Sequence, residues 1–443
     1  MRKTILLVAM PGSIHVVRWI NQLVDQDLDI HIFPSTGGVV IHAEMEGVTF
    51  HSPIFPWSIK IGKRKPGKSS RHSLTAADFL NSYLNKSASA RQVAEGNGQN
   101  IGFVQGQVAS LCPEISHLTF AQQIRQFLRQ HVLERFMPGF RGKRLLKVIL
   151  NIRPDIVHSL EIQAAGFLTL EVKKQLPVSF PPWLVTNWGS DIFLFGRLQQ
   201  HKAKISEVLA NCDYYSCECE RDVRLARQFG FRGKTMPVFP NTGGFDLAEL
   251  EKVRKHIPVS DRKLIMLKGY QNWAGRSLVG LRALGRCKDV LEGYSVLIYL
   301  ASPEVEIAAE LFTDETGIPV RIIPGNTPHQ EMLSLHAQAR ISIGLSISDA
   351  ISTSFLEAMV MGSFPIQSCT ACVDEWIEHG VSGMIVPPED PDIIELALRS
   401  ALSDVGLVNE AAAINWRIAQ ERLDSLLIKQ KVIDMYSSLW QER

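Results

Sequence analysis

Residues 341–387 read ISIGLSISDAISTSFLEAMVMGSFPIQSCTACVDEWIEHGVSGMIVP. The spacing predicts a strand, a loop, and then a helix whose N-cap is Ser352 or Thr353. Backbone N–H groups at such a helix start, with the hydroxyls of Ser352, Thr353 and Ser354, make an anion site suited to phosphate. Glu357 falls about one turn into the helix, where a carboxylate can accept both hydroxyls of a ribose while phosphates sit at the helix tip. Asp349, eight residues earlier, projects from the loop toward a group beyond the phosphates. The same spacing also fits a capped surface helix that binds nothing.

Around this segment the chain alternates strands and helices. Strands are expected at 264–268, 295–300, 320–323, 341–345, 364–368 and 384–386, and a long final helix at 409–439. The N-terminal half opens with Ile5-Leu6-Leu7-Val8-Ala9-Met10, a continuous apolar run of the kind covered on both faces in a parallel sheet. A helix at 16–27 and a strand at 30–33 complete a βαβ unit, whose first loop lies at the carboxyl end of the first strand. Further strands are expected at 155–158, 183–186 and 213–217, and helices at 119–150 (broken at Pro138-Gly139), 162–174 and 220–229. Val238 to Gly244 is rich in turn formers and reads as a linker. The fold class is α/β, with two Rossmann-like doubly wound halves facing a cleft. The expected boundaries are 1–242, with an excursion over about 53–118; 243–420; and a C-terminal helix over 421–443 that can return to the first half.

The 443 residues carry 47 Lys+Arg against 45 Asp+Glu, a formal charge of +2. That balance excludes a nucleic-acid binder held by bulk electrostatics. No uncharged apolar run reaches the roughly 20 residues of a membrane span, and seven scattered cysteines do not form a secreted disulfide framework. A cytoplasmic protein is expected. Cys369-Thr370-Ala371-Cys372 and Cys217-Glu218-Cys219 each stand alone, so no metal or redox site is expected from either.

The segment 341–387 resembles the signature of the retaining glycosyltransferases of family 4, which have the GT-B fold. The matching residues are Asp349, Glu357-Ala358-Met359, Gly362-Ser363-Phe364-Pro365, Glu375 and Gly383-Met384-Ile385-Val386-Pro387. The resemblance extends more loosely over most of the chain and is weakest between Pro53 and Leu150. Two departures stand in the signature: Asp349 replaces the usual first Glu, and Gly362–Pro365 is one residue longer.

The resemblance implies a nucleotide-sugar donor, a UDP-sugar for preference, held mainly by the C-terminal half. Glu357 would bind its ribose, and Asp349 would contact hydroxyls of the donor sugar. In Met266-Leu267-Lys268-Gly269-Tyr270-Gln271-Asn272-Trp273-Ala274-Gly275-Arg276, Tyr270 takes the place of the family's Arg and Arg276 that of its Lys. Arg276 and Lys268 are then the cations for the diphosphate, which needs no metal. Gly12, Ser13 and His15, after the first strand, would lie under the acceptor and the transferred sugar. Asn187-Trp188-Gly189-Ser190-Asp191 resembles the family's Gly-Ser-Asp, with Trp188 where His is frequent. Asp191 is the candidate for acceptor contact, and His158 of Asp155-Ile156-Val157-His158 matches a frequent family His and is either a further acceptor contact or a structural residue.

The expected reaction is retaining transfer to a saccharide or lipid-linked acceptor in surface glycan or glycoconjugate synthesis. The alternatives are a nucleotide-sugar epimerase or nicotinamide dehydrogenase, for which no Gly-x-Gly-x-x-Gly follows a first strand, and a non-catalytic sugar-nucleotide binder.

Two basic stretches have no place in that chemistry. Lys60, Lys63, Arg64, Lys65, Lys68 and Arg71 lie between Ser52 and His72 without an acid, near Phe55 and Trp57. Arg125, Arg129, Arg135, Arg141, Lys143, Arg144 and Lys147 follow, with Phe127, Phe136 and Phe140 interleaved. They read either as solvated faces or as a peripheral contact with an anionic membrane at its inner face.

Overall fold

The computed structural model describes residues 2–36, 40–63, 74–75, 139–254 and 257–441. Arg64, Lys65, Lys68, Arg71, Arg125, Phe127, Arg129, Arg135 and Phe136 lie outside the described residues. Contacts divide the chain into two compact units, residues 1–160 with 164–183, and residues 161–163 with 184–443.

In the first unit, β1 (Lys3–Ala9) pairs in parallel with β2 (Leu28–Pro34) on one side. β3 (Val48–His51) follows β2 in parallel, and β4 (Ser58–Ile61) runs antiparallel to β3. On its other side β1 pairs in parallel with β5 (Ile156–Leu160). Ile5 to Ala9 are wholly buried, as a strand covered on both faces requires. The strand order reverses between β1 and β5, which puts the loop of Gly12 and Ser13 at a topological switch point.

Helix α1 (Ile14–Asn21) is shorter than the expected 16–27. The chain turns after Asn21 so that Leu23 stays buried, while Asp25 and Asp27 reach Lys63 and Arg2. Helix α2 (Phe140–Ile152) starts directly after Gly139, which has a left-handed backbone, and the expected helix before Pro138 lies outside the described residues. Its Arg141 donates to the Ser35 carbonyl, and Arg144 to those of Ser52 and Phe55. These two cations brace loops of the first unit.

The second sheet has six parallel strands: β9 (Leu264–Lys268), β10 (Ser295–Tyr299), β11 (Val320–Ile323), β12 (Ala339–Gly344), β13 (Phe364–Ser368) and β14 (Met384–Val386). Their order is β11-β10-β9-β12-β13-β14, the doubly wound arrangement. Ile265, Leu267, Val296 and Ile298 belong to one core cluster, Met266, Leu297 and Tyr299 to another. Alternate side chains therefore enter layers on opposite faces, the reason these strands read as unbroken apolar runs.

Before this sheet, β6 (Trp183–Thr186), β7 (Tyr214–Ser216) and β8 (Lys234–Thr235) pair in parallel. They alternate with helices that include α6 (Glu220–Gln228); between α2 and α6 lie α3 (Phe167–Lys173), α4 (Ser190–Phe193) and α5 (Gln199–Asn211). The expected 409–439 helix is two helices, Val405–Arg422 and Ser425–Gln441. At the break, Phe245 donates to the Leu423 carbonyl at 2.8 Å and accepts from the Ser425 N–H at 2.9 Å. The Asp424 carboxylate accepts from the Leu426 N–H, capping the second helix. The periodicity runs through this break because both helices bury the same kind of face.

Candidate functional site

The second sheet reverses its strand order between β9 and β12, so a ligand crevice is expected at their carboxyl ends. Lys268 is the last residue of β9, and the loop after β12 leads to the helix Thr353–Met361, with Ser352 as its N-cap. Lys268 Nζ donates to Ser352 Oγ at 3.1 Å, and Ser352 Oγ lies 2.9 Å from Ser354 Oγ. The Ser352 hydroxyl makes no cap bond to its own helix. It faces the lysine instead, so a cation, two hydroxyls and a positive helix end converge on one point. The Lys268 ammonium also lies 5.1 Å from the centre of the Tyr270 ring.

One turn into the helix, Glu357 is buried, and its carboxylate stands between two histidines. His329 Nε2 is 2.8 Å from Oε1, and His336 Nε2 is 3.8 Å from Oε2. Burial lowers the His336 pKa to about 4, against the opposing pull of Glu357, while its Nδ1 lies 3.0 Å from Ser342 Oγ. Tyr299, buried beside Ser354, has its pKa pushed up by burial and is a neutral phenol.

Asp349 is half-buried in the loop before the helix. Burial raises its pKa; the charge of Lys268, the Ala350 N–H and Arg221 oppose that shift. The backbone around Asp349 is held from 128 residues away. Arg221 donates to the Asp349 carbonyl at 2.7 Å and to the Thr370 carbonyl at 2.8 Å, and its third arm meets Asp222 at 2.9 Å. Its guanidinium stacks 3.9 Å from the Phe193 ring centre. Asp222 is buried and accepts from Asn187, which in turn accepts from the Tyr215 hydroxyl.

The loop is also touched from Gly189, whose φ is +95°. A Cβ there would lie 2.1 Å from the Ala350 nitrogen, so the position admits glycine alone. Next to it, Ser190 donates to the Ser348 carbonyl and accepts from the Ser348 hydroxyl.

The other sequence candidates occupy different surroundings. Arg276 pairs with Glu389 at 2.8 Å and donates to the carbonyls of Asn272, Ala274 and Gly275. Its guanidinium closes the loop after β9. Asp191 is buried, and its two oxygens accept from the Ile162 and Trp188 N–H groups at 3.1 and 2.9 Å. Burial and the nearby Glu161 raise its pKa to about 7. Glu218, also buried, accepts from the Asn241 N–H at 2.6 Å and is pushed up to about 8.

In the first unit, Ser13 caps α1 through the His15 N–H, and Gly12 precedes it at the end of β1. His158 is wholly buried with its ring edge-on to Trp19, and burial lowers its pKa to about 3. Asp390 caps the helix Pro391–Ser403, its carboxylate accepting from the Asp392 and Ile393 N–H groups.

Two residues of this region carried no signal of their own in the sequence. Arg221 and His329 sit outside every motif. Glu375 is part of the signature, but its task is visible only here: its carboxylate accepts from the Glu220 and Arg221 N–H groups at the start of α6. The two cysteine pairs, separate in sequence, also converge, with Cys219 Sγ 3.0 Å from Cys372 Sγ.

A family model described as glycosyl transferases group 1 matches residues 310–415, which contain Asp349, Ser352, Ser354 and Glu357. Solved structures match over the whole chain. Sucrose-phosphate synthase from Thermosynechococcus elongatus is 14% identical, with 100% of each chain covered and a TM-score of 0.64. The fold is GT-B. Trehalose-6-phosphate synthase from Burkholderia multivorans shares this GT-B architecture at 11% identity, covering 100% of this chain and 99% of its own, with a TM-score of 0.62. Anabaena HepE, in complex with UDP-glucose, does so at 12% identity, 98% and 99% coverage, and a TM-score of 0.60. No curated protein matches the sequence.

Proposed function

We propose that this protein is a glycosyltransferase that moves a sugar, with retention, from a nucleoside diphosphate donor to a saccharide or lipid-linked acceptor. The observation that carries this reading is the Lys268–Ser352 contact at a helix N-terminus, with Glu357 one turn further in, inside the segment matched by the family model. A ribose between Glu357 and the helix start leaves its diphosphate at Ser352, Ser354 and Lys268. Asp349 then faces the sugar beyond it.

The leaving diphosphate gains one negative charge as the glycosidic bond breaks. The Lys268 ammonium and the helix end are already oriented toward it, so stabilisation requires little reorganisation. The acceptor hydroxyl attacks from the same face through an oxocarbenium-like state, and a departing phosphate oxygen takes its proton. No metal is required in this scheme. We assign the acceptor to Gly12, Ser13 and His15, with Asp191 holding the Ile162 and Trp188 backbones through its two oxygens. The work site is the cytoplasm, at the inner membrane face when the acceptor is lipid-linked; among the described residues no helix is long and apolar enough to cross a membrane.

The test is incubation of purified protein with UDP-, GDP- and ADP-sugars, followed by assay for free nucleoside diphosphate. UDP-glucose comes first, since HepE binds it. Release with one donor class supports transfer. Tight binding of a nucleotide sugar without release would make the protein a binder, and an interconverted nucleotide sugar would make it an epimerase.

A further inference from the structure

Cys219 and Cys372 come from segments 153 residues apart and are both buried, yet their sulfurs touch at 3.0 Å. Cys219 is the N-cap of α6, and Cys372 holds a left-handed backbone at φ +46° just before the turn Val373–Glu375. The segments are already bound to each other on either side of the sulfurs. Arg221 reaches back to the Thr370 carbonyl, and Glu375 receives the first N–H groups of α6. Ala350, next to Asp349, is buried in one cluster with the two cysteines. The contact with Cys372 and burial push the Cys219 thiol well above its ordinary pKa, and the nearby Arg221 charge opposes that shift.

Asp222 also lies beside the pair, which raises the question of a metal. Its oxygens are committed to Arg221 and Asn187, so a metal would have to displace two buried hydrogen bonds. A sulfur–sulfur bond of about 2.05 Å needs only that the two thiols close by about 1 Å.

We propose that Cys219 and Cys372 form a reversible disulfide that staples α6 to the turn at 370–375 and stiffens the loop bearing Asp349. With glutathione disulfide as oxidant, the Cys372 thiolate attacks one glutathione sulfur and expels a glutathione thiolate. The Cys219 thiolate then attacks Cys372 Sγ and expels the second. The two thiol protons end on the two glutathiones, and the protein gives up two electrons. This inference does not depend on the sugar-transfer reading.

The experiment treats the full chain with glutathione disulfide, blocks remaining thiols, and maps disulfides by peptide mass spectrometry. A peptide linking Cys219 to Cys372 is expected, also in Cys369→Ser, which removes the exposed neighbouring thiol. Amide exchange over residues 347–351 should slow about tenfold on oxidation and recover with dithiothreitol. The proposal is overturned if both cysteines stay alkylatable, if Cys372 pairs with Cys369 instead, or if exchange in the loop is the same with the crosslink as without it.

Discussion

The Arg221 guanidinium donates to the Asp349 carbonyl while its other nitrogens hold Thr370 and Asp222, so one side chain ties the candidate sugar-facing loop to α6. Arg221→Lys keeps the charge but cannot reach three acceptors in one plane. Asp222 would then lie buried without its ionic partner. A stability loss of about 3 kcal/mol is expected, read as a lower urea midpoint at unchanged slope.

Glu357→Gln should weaken binding of the donor nucleotide. An amide oxygen accepts less strongly from ribose hydroxyls than a carboxylate does, a difference of roughly 1.5–3 kcal/mol, or about ten- to hundredfold in Kd. Calorimetric titration with the active nucleoside diphosphate measures it. An unchanged Kd removes Glu357 from the site.

Lys268→Met should lower turnover about 100-fold or more, since it removes a preorganised cation from the leaving group. EDTA should leave the rate unchanged. Loss of activity on chelation, restored by manganese or magnesium, would overturn the metal-free scheme.

Stability should fall as pH rises from about 6.5 to 8, above the range in which the buried neutral His51, His158 and His336 act in the opposite sense. Asp191 and Glu218 have folded pKa values of about 7 and 8, above their ordinary 3.8 and 4.5. The folded state therefore binds more protons in this window, and the stability present below the unfolded values is lost as pH passes the folded ones. A drop of about 2 kcal/mol is expected, with a shallower slope in Glu218→Gln. Denaturation midpoints at several pH values decide it.

Phe55, Lys60 and Lys63 are exposed on one stretch of the first unit. If that stretch docks on membranes, the protein should bind vesicles with anionic lipid at low salt and leave them at high salt, with little binding to neutral vesicles. Replacing Lys60 and Lys63 with Ser should reduce sedimentation without changing nucleotide affinity. Protein that stays in the supernatant with anionic vesicles points to a soluble acceptor.

Strands were legible where apolar runs end at turn formers: 264–268, 320–323, 364–368 and 384–386 stand as expected. Lys268, Ser352, Ser354 and Glu357 could be placed together because each sits at a strand end or within two turns of one helix start. The helix expected at 409–439 was misread since its break depends on Phe245, far away in sequence. The resemblance made Arg276 the leading cation, yet Glu389 and three loop carbonyls take its donors. His329, Arg221 and the cysteine contact depend on tertiary neighbours, which local periodicity does not encode.

Helix α6 takes the acceptor for its first two N–H groups from Glu375, about 155 positions downstream. The strands from β9 to β13 lie between them in sequence, so a loop of that length must close before the carboxylate arrives. In a chain still being assembled, α6 therefore forms with water at its N-terminus. A contact made that late is expected to act on the unfolding rate more than on the folding rate, so removing the carboxylate should shorten the lifetime of the folded molecule.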